Sequence, residues 1–200
     1  MTRSLSDDLA RGAIHLSIDM QNLFADGGPW PTPWLKRTLP QIALLAAARP
    51  ERTVFTRFIP PTDADDLPGA WRRYYRRWDE VTLRRLDPAM LELLQPLARL
   101  TPPATIFDKA VYSAFGAKGL DDHLRGRGTE TLIVTGVETD VCVLASVLDA
   151  VDLGFRVIVV SDGICSSSDA GHDALMAQFR TRFSEQIGVA TVAEVLAAWR

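Results

Sequence analysis

Short apolar, β-branched runs alternate with longer stretches whose apolar residues recur at three- and four-residue spacing, along nearly the whole chain. The runs at 13–18, 52–58, 104–108, 131–134, 155–160 and 187–189 predict strands, because short continuous apolar segments suit strands buried on both faces. Between them, 34–48 predicts a helix with Leu35, Leu39, Ile42, Leu45 and Ala46 on its apolar side, ended by Arg49-Pro50. Further helices are predicted at 119–127, 144–150, 168–183 and 192–199. One more is predicted at 87–100, with Asp87 as N-cap and Pro88 in its first position. Regular strand–helix alternation predicts an α/β fold of three layers, α/β/α, around a mainly parallel, Rossmann-like sheet of about six strands. No linker, repeat or low-complexity tract interrupts it, so residues 1–200 are expected to form a single domain.

Two segments fall outside the alternation. Residues 1–12 are polar and mixed in charge, and read as a peripheral lead-in. Residues 62–87 centre on Trp71-Arg72-Arg73-Tyr74-Tyr75-Arg76-Arg77-Trp78. Trp71, Tyr74, Tyr75 and Trp78 share one helical face, and the four arginines take the other. Arginines beside aromatic rings are also a signature of single-stranded nucleic-acid binding. An isolated cluster in a chain of net charge −3 points instead to an amphipathic helix laid over the core, to a lid, or to a subunit contact.

Composition narrows the class further. Of 200 residues, 47% are apolar, enough for a sizeable core. The mild charge gives no case for a nucleic-acid partner, no apolar run suits a membrane, and the start lacks the apolar centre of a signal peptide. Two cysteines make no disulfide framework. A soluble protein in a reducing, cytoplasmic setting is expected.

Ligands of parallel α/β sheets bind outside the carboxyl ends of the strands. Asp19, Lys109 and Cys142 stand at three such ends. Asp19 has an ordinary reading as a cap of the next turn through Asn22 or Leu23, Lys109 has one as a surface charge, and Cys142 stands in the first turn of a helix. Together they make a kit for acyl transfer. The helix start favours a thiolate at Cys142, Asp19 takes its proton, Lys109 stabilises the anion, and backbone N–H groups around Glu138 and Cys142 receive an oxyanion. His15, His123 and His172 are read as structural, and no histidine pair has metal-ligand spacing. Phe24, Trp30, Tyr112 and Phe115 lie in loops near strand ends, and are either pocket walls or core aromatics. Cys165 is a small buried residue or a resolving thiol for Cys142.

Three stretches carry a resemblance: Ile18-Asp19-Met20-Gln21-Asn22; Lys109 with Tyr112-Ser113-Ala114-Phe115; and Thr135-Gly136-Val137-Glu138-Thr139-Asp140-Val141-Cys142-Val143. The chain resembles the isochorismatase-like cysteine hydrolases, over 13–198. The resemblance implies that Asp19, Lys109 and Cys142 form a catalytic triad, that the Val137–Glu138 peptide is cis, and that the protein is a homodimer or homotetramer. It also implies hydrolysis of a C–N bond in a small amide, ureide or carbamoyl compound through a thioester. The nicotinamidase branch carries an aspartate–histidine metal motif after the second strand. Here that place reads Thr56-Arg57-Phe58-Ile59-Pro60-Pro61, so no metal and no cofactor are expected. A vinyl-ether hydrolase, a non-catalytic binding protein and a redox-active thiol protein are the alternatives. Glu138 is either a substrate contact or a solvent-facing side chain.

Overall fold

The computed structural model describes residues 4–10 and 12–199. Six strands, β1 (Ile14–Ile18), β2 (Thr53–Phe58), β3 (Thr105–Lys109), β4 (Thr131–Val137), β5 (Arg156–Cys165) and β6 (Ile187–Ala190), form one sheet. Their order is β3-β2-β1-β4-β5-β6, and every pairing is parallel. The helices are α1 (Leu5–Leu9), α2 (Leu35–Ala48), α3 (Gly69–Arg77), α4 (Gln95–Ala98), α5 (Leu120–Gly126), α6 (Leu144–Asp152), α7 (Asp169–Thr181) and α8 (Val192–Ala198).

Alternate residues of each strand feed opposite faces, as the two-residue repeat of a strand requires. Ile14, Leu16, Ile18, Leu132, Val134, Val157 and Val159 pack with Leu120, Val147, Met176 and Phe179, from α5, α6 and α7. Ile133, Ile158 and Val160 pack instead with Leu45 of α2 and Val192 and Val195 of α8. On that same side Phe55 meets Ile42, Tyr75 and Leu97, from α2, α3 and α4. The sheet is therefore covered on both faces, which is why its strands read as continuous apolar runs. The direction of winding reverses between β1 and β4, and in such folds this switch point opens a crevice at the carboxyl edge.

One polar residue sits deep in this sheet. His15 is fully buried on β1, with Nε2 2.8 Å from Thr135 Oγ1 and Nδ1 3.4 Å from Thr53 Oγ1. Burial lowers its pKa from 6.5 to about 3. The folded pKa lies below the unfolded one, so the contribution to stability is complete above pH 6.5 and is lost as pH falls from 6.5 toward about 3. Stability is expected to fall in that window by up to about 1.4 kcal/mol per pH unit from this group alone. Urea unfolding at a series of pH values checks it, and His15→Gln, which cannot take the proton, is expected to flatten the slope.

Several sequence expectations change. The helix expected at 87–100 is broken. Pro88–Leu91 forms a single 3₁₀ turn, capped by the Asp87 side chain, and only Gln95–Ala98 is helical. Between them the chain runs extended beside Gln21, where Asn22 N–H donates to Glu92 O at 3.0 Å and Leu94 N–H to Met20 O at 2.9 Å. Pro96 removes a helical donor, which lets the extended path compete. The lead-in is also more than a peripheral tail. Ser4 caps α1, Leu9 is buried, and the Asp8 carbonyl accepts from Thr131 Oγ1 at 2.7 Å; residues 1–3 and 11 lie outside the described residues. Both β4 and β5 run further than expected, so Cys165 ends β5 rather than following it. Among the described residues, no helix is long and apolar enough to cross a membrane.

Candidate active site

Asp19 is the first residue beyond β1, Lys109 is the last residue of β3, and Cys142 follows β4. All three are buried. Lys109 Nζ lies 2.7 Å from Asp19 Oδ2, both side chains being wholly inaccessible to solvent. Strand β2 separates β3 from β1, so the lysine stem must bridge a gap of about 10 Å. It does so across Phe58 of β2, its register partner, with Nζ 5.1 Å from the ring centroid. A further Nζ donor goes to Val111 O at 2.9 Å.

Asp19 does not cap the following turn. Its Oδ1 accepts from Thr56 Oγ1 at 2.7 Å, and its own N–H donates to Thr56 O and Oγ1, each at 3.2 Å. Its φ of 53° is the only positive value among the described non-glycine residues, a conformation that short polar side chains tolerate best. It turns the chain sharply off the strand, and Gln21 then locks the exit. The Gln21 carboxamide accepts from Phe58 N–H at 2.7 Å and donates to Phe58 O at 3.1 Å, as a neighbouring strand would.

The cysteine sits in a different local structure from the one expected. Thr139–Val143 is a π-helical turn, and α6 begins only at Leu144. The Glu138 carbonyl accepts from Val141 and Val143 N–H, both at 3.1 Å, bypassing the Cys142 N–H between them. The Val137–Glu138 peptide is cis. The turn is held from two sides. Ser146 Oγ donates to Cys142 O at 2.7 Å and accepts from Ala114 N–H at 2.8 Å. On the other side, Glu138 accepts from Ser167 N–H, Asp140 accepts from Ser166 Oγ, and Thr139 Oγ1 meets His172 Nδ1 at 2.9 Å.

The thiol's charge state reverses the sequence expectation. The Cys142 pKa is raised well above the ordinary thiol value, first by burial and then by the negative charge of Asp19. Lys109 pulls it back only in part, and Glu138 adds a smaller upward push. The resting group is a neutral thiol held against a carboxylate. That is the arrangement in which proton transfer accompanies attack instead of preceding it.

Cys142 opens onto a cavity of about 440 Å³. Phe24, Trp30 and Tyr112 line it, as does Glu138. Phe115 does not: it stacks on Phe155 at 5.9 Å, next to Ala114, whose N–H donates to Ser146 Oγ. Tyr74, Trp78 and Phe58 add aromatic wall, and Pro29, Pro31, Val141 and Ser167 also line the cavity. The aromatic stripe therefore packs on its own chain, and two of its residues, Tyr74 and Trp78, wall the cavity. Arg72 and Arg76 of its basic side pair locally with Asp65. Sequence reasoning missed Thr56, Gln21, Ser146 and Ser167. Thr56 and Gln21 lie within stretches singled out for other reasons, whereas nothing local marks Ser146 or Ser167. Cys165 is fully buried with Sγ 3.3 Å from Thr38 Oγ1, and both cysteines are free thiols. Among the described residues, no group of three His, Cys, Asp or Glu side chains is placed to hold a metal ion.

A six-stranded parallel sheet with a buried Cys–Asp–Lys cluster at its switch point defines a narrow class of α/β protein. The isochorismatase domain family matches residues 13–191, and the chain belongs to that family. It is 29% identical to the maleamate amidohydrolase of Pseudomonas putida, over 86% of this chain and 81% of that protein. It is 35% identical to the nicotinamidase of Escherichia coli, over 52% of this chain and 50% of that one. Among solved structures, a cysteine hydrolase from Pseudomonas syringae pv. phaseolicola superposes with a TM-score of 0.81 at 26% identity, covering 100% of this chain and 95% of that one.

Proposed function

We propose that the protein is a cysteine amidohydrolase that cleaves a C–N bond of a small amide, ureide or carbamoyl compound through a thioester on Cys142. The observation that carries this reading is the Lys109–Asp19 ion pair lying behind a neutral Cys142 thiol that opens onto the cavity. The names of the maleamate amidohydrolase and nicotinamidase relatives support it.

In the first half-reaction, sulfur attacks the substrate carbonyl carbon while Asp19 takes the thiol proton. Charge moves from the carbonyl π bond onto oxygen, and the backbone N–H groups of the turn around Cys142 receive it. The tetrahedral adduct collapses, the C–N bond breaks, and the leaving nitrogen carries away the proton held by Asp19. In the second half-reaction, Asp19 takes a proton from water as its oxygen attacks the thioester. The C–S bond breaks, and sulfur recovers the proton. One amide and one water give one acid and one amine. Lys109 offsets the negative charge that moves between carboxylate, sulfur and oxygen inside a site shut off from solvent.

The test is to mix the protein with a panel of small amides, ureides and carbamoyl compounds, quench with acid at early times, and read the intact mass. A mass increment equal to the acyl group, mapped to Cys142 and matched by release of amine or ammonia, is the expected result. Turnover of the same compound at an equal rate by Cys142→Ala would overturn the reading.

A further inference from the structure

Cavity walls reveal what the reactive centre does not: the charge of the group that fits beside it. Among the described residues, no lysine, arginine or histidine lines the cavity. Its one charged wall residue is Glu138. Oε1 of that carboxylate accepts from Ser167 N–H at 2.8 Å, and the side chain makes no other hydrogen bond or ion pair among the described residues. Asp19 and Lys109 compensate one another, and both are out of contact with solvent. Arg77 stacks over Trp78, 5.9 Å from the ring centroid, but it is exposed and so screened by water. Glu138 therefore stands as an uncompensated negative charge.

Most of the remaining side chains of the wall are aromatic, with Pro29, Pro31 and Val141 between them. Trp30 is the hub, its ring centroid 5.9 Å from that of Trp78, 6.3 Å from Tyr74 and 6.1 Å from Phe58. Clustered indole and phenol rings present negative faces, and a desolvated cation is held between such faces more firmly than a neutral group of the same shape. An aromatic box with a carboxylate at its wall selects for positive charge twice, through the ring faces and through the anion.

Building on the amidohydrolase reading, we infer that Glu138, together with the Trp30–Tyr74–Trp78 box, makes this site selective for amides carrying an organic cation, such as a quaternary or protonated amine, and hostile to amides carrying a carboxylate. Glu138 is then a specificity residue, and the sequence alternative of a merely solvent-facing side chain is set aside.

Three probes isolate charge from shape. Glycine betaine amide and 3,3-dimethylbutanamide are isosteres that differ by N⁺ against C, and succinamate carries the opposite charge. Binding is measured by calorimetry on Cys142→Ala, which cannot turn them over. Glycine betaine amide is expected to bind about tenfold tighter than its neutral isostere, with succinamate weakest. Adding Glu138→Gln, which keeps an acceptor for Ser167 N–H, is expected to narrow the gap between the two isosteres to about threefold, the part that the aromatic rings carry. Equal binding of the isosteres, tighter binding of succinamate, or a preference unchanged by Glu138→Gln would overturn the inference. Hydrolysis of the same probes by the wild-type protein is scored separately. Selective binding without hydrolysis upholds the charge selectivity and counts against the amidohydrolase reading. Hydrolysis without charge preference removes the inference alone.

Discussion

Asp19→Asn is expected to lower kcat/KM on any substrate of the enzyme by about a thousandfold or more, because the amide keeps the shape of the carboxylate but cannot take the thiol proton. The same change is expected to destabilise the fold by about 3–5 kcal/mol, since it leaves the Lys109 ammonium buried without its partner. The two losses are separable. In the double variant Asp19→Asn/Lys109→Met no charge is stranded, so the urea midpoint is expected to return most of the way toward wild type while activity stays at the low level. Steady-state kinetics and equilibrium unfolding on both variants check this. Activity within about tenfold of wild type in Asp19→Asn would take Asp19 out of the proton path. A double variant as unstable as the single one would mean that the ion pair is not what stability depends on here.

Gly136→Ala is expected to cost about 4 kcal/mol or more, enough to leave little folded protein. Gly136 has φ +117°, and a Cβ there would lie 2.1 Å from Ile18 O and 2.6 Å from Ile18 N. These are backbone atoms of the neighbouring strand, paired in register with Gly136, so no side-chain rotation relieves the clash. Ile18 directly precedes Asp19, and whatever protein does fold is expected to be inactive. Gly119 is the control. It also has positive φ, +84°, but nothing lies within 4 Å of its Cβ position, so Gly119→Ala is expected to cost only about 1–2 kcal/mol. Urea unfolding of the pair separates a steric requirement from a conformational one.

The alternation of apolar runs made the sheet legible, because strands buried on both faces admit only apolar side chains over several positions. It also put Asp19, Lys109 and Cys142 at strand ends, and the parallel topology brings such ends together without any local signal between them. What resisted reading was decided by tertiary partners. The 87–100 segment has a helix cap and apolar spacing, yet the backbone of Met20 to Asn22 recruits it as an extended neighbour. The helix start predicted a thiolate, but burial and Asp19 outweigh it. The aromatic stripe was visible as a stripe; that Tyr74 and Trp78 meet Trp30 depends on a fold-back no periodicity encodes. Phe115 shows the converse, since its loop position suits either role and only the fold places it against Phe155.

Lys109 has one property that its neighbours in the site lack. It belongs to β3, which lies at the sheet margin with a partner on one side only. Margin strands open at lower free energy than central ones, whose exchange-protected bonds break only with the whole domain. A margin strand is thus also the source of the site's positive charge. On warming or mild denaturation, fraying of β3 would withdraw the ammonium from Asp19 and silence the protein while β1, β4 and β5 remain intact. Catalytic competence would then be a more sensitive thermometer than any measure of secondary structure, and inactivation would precede melting.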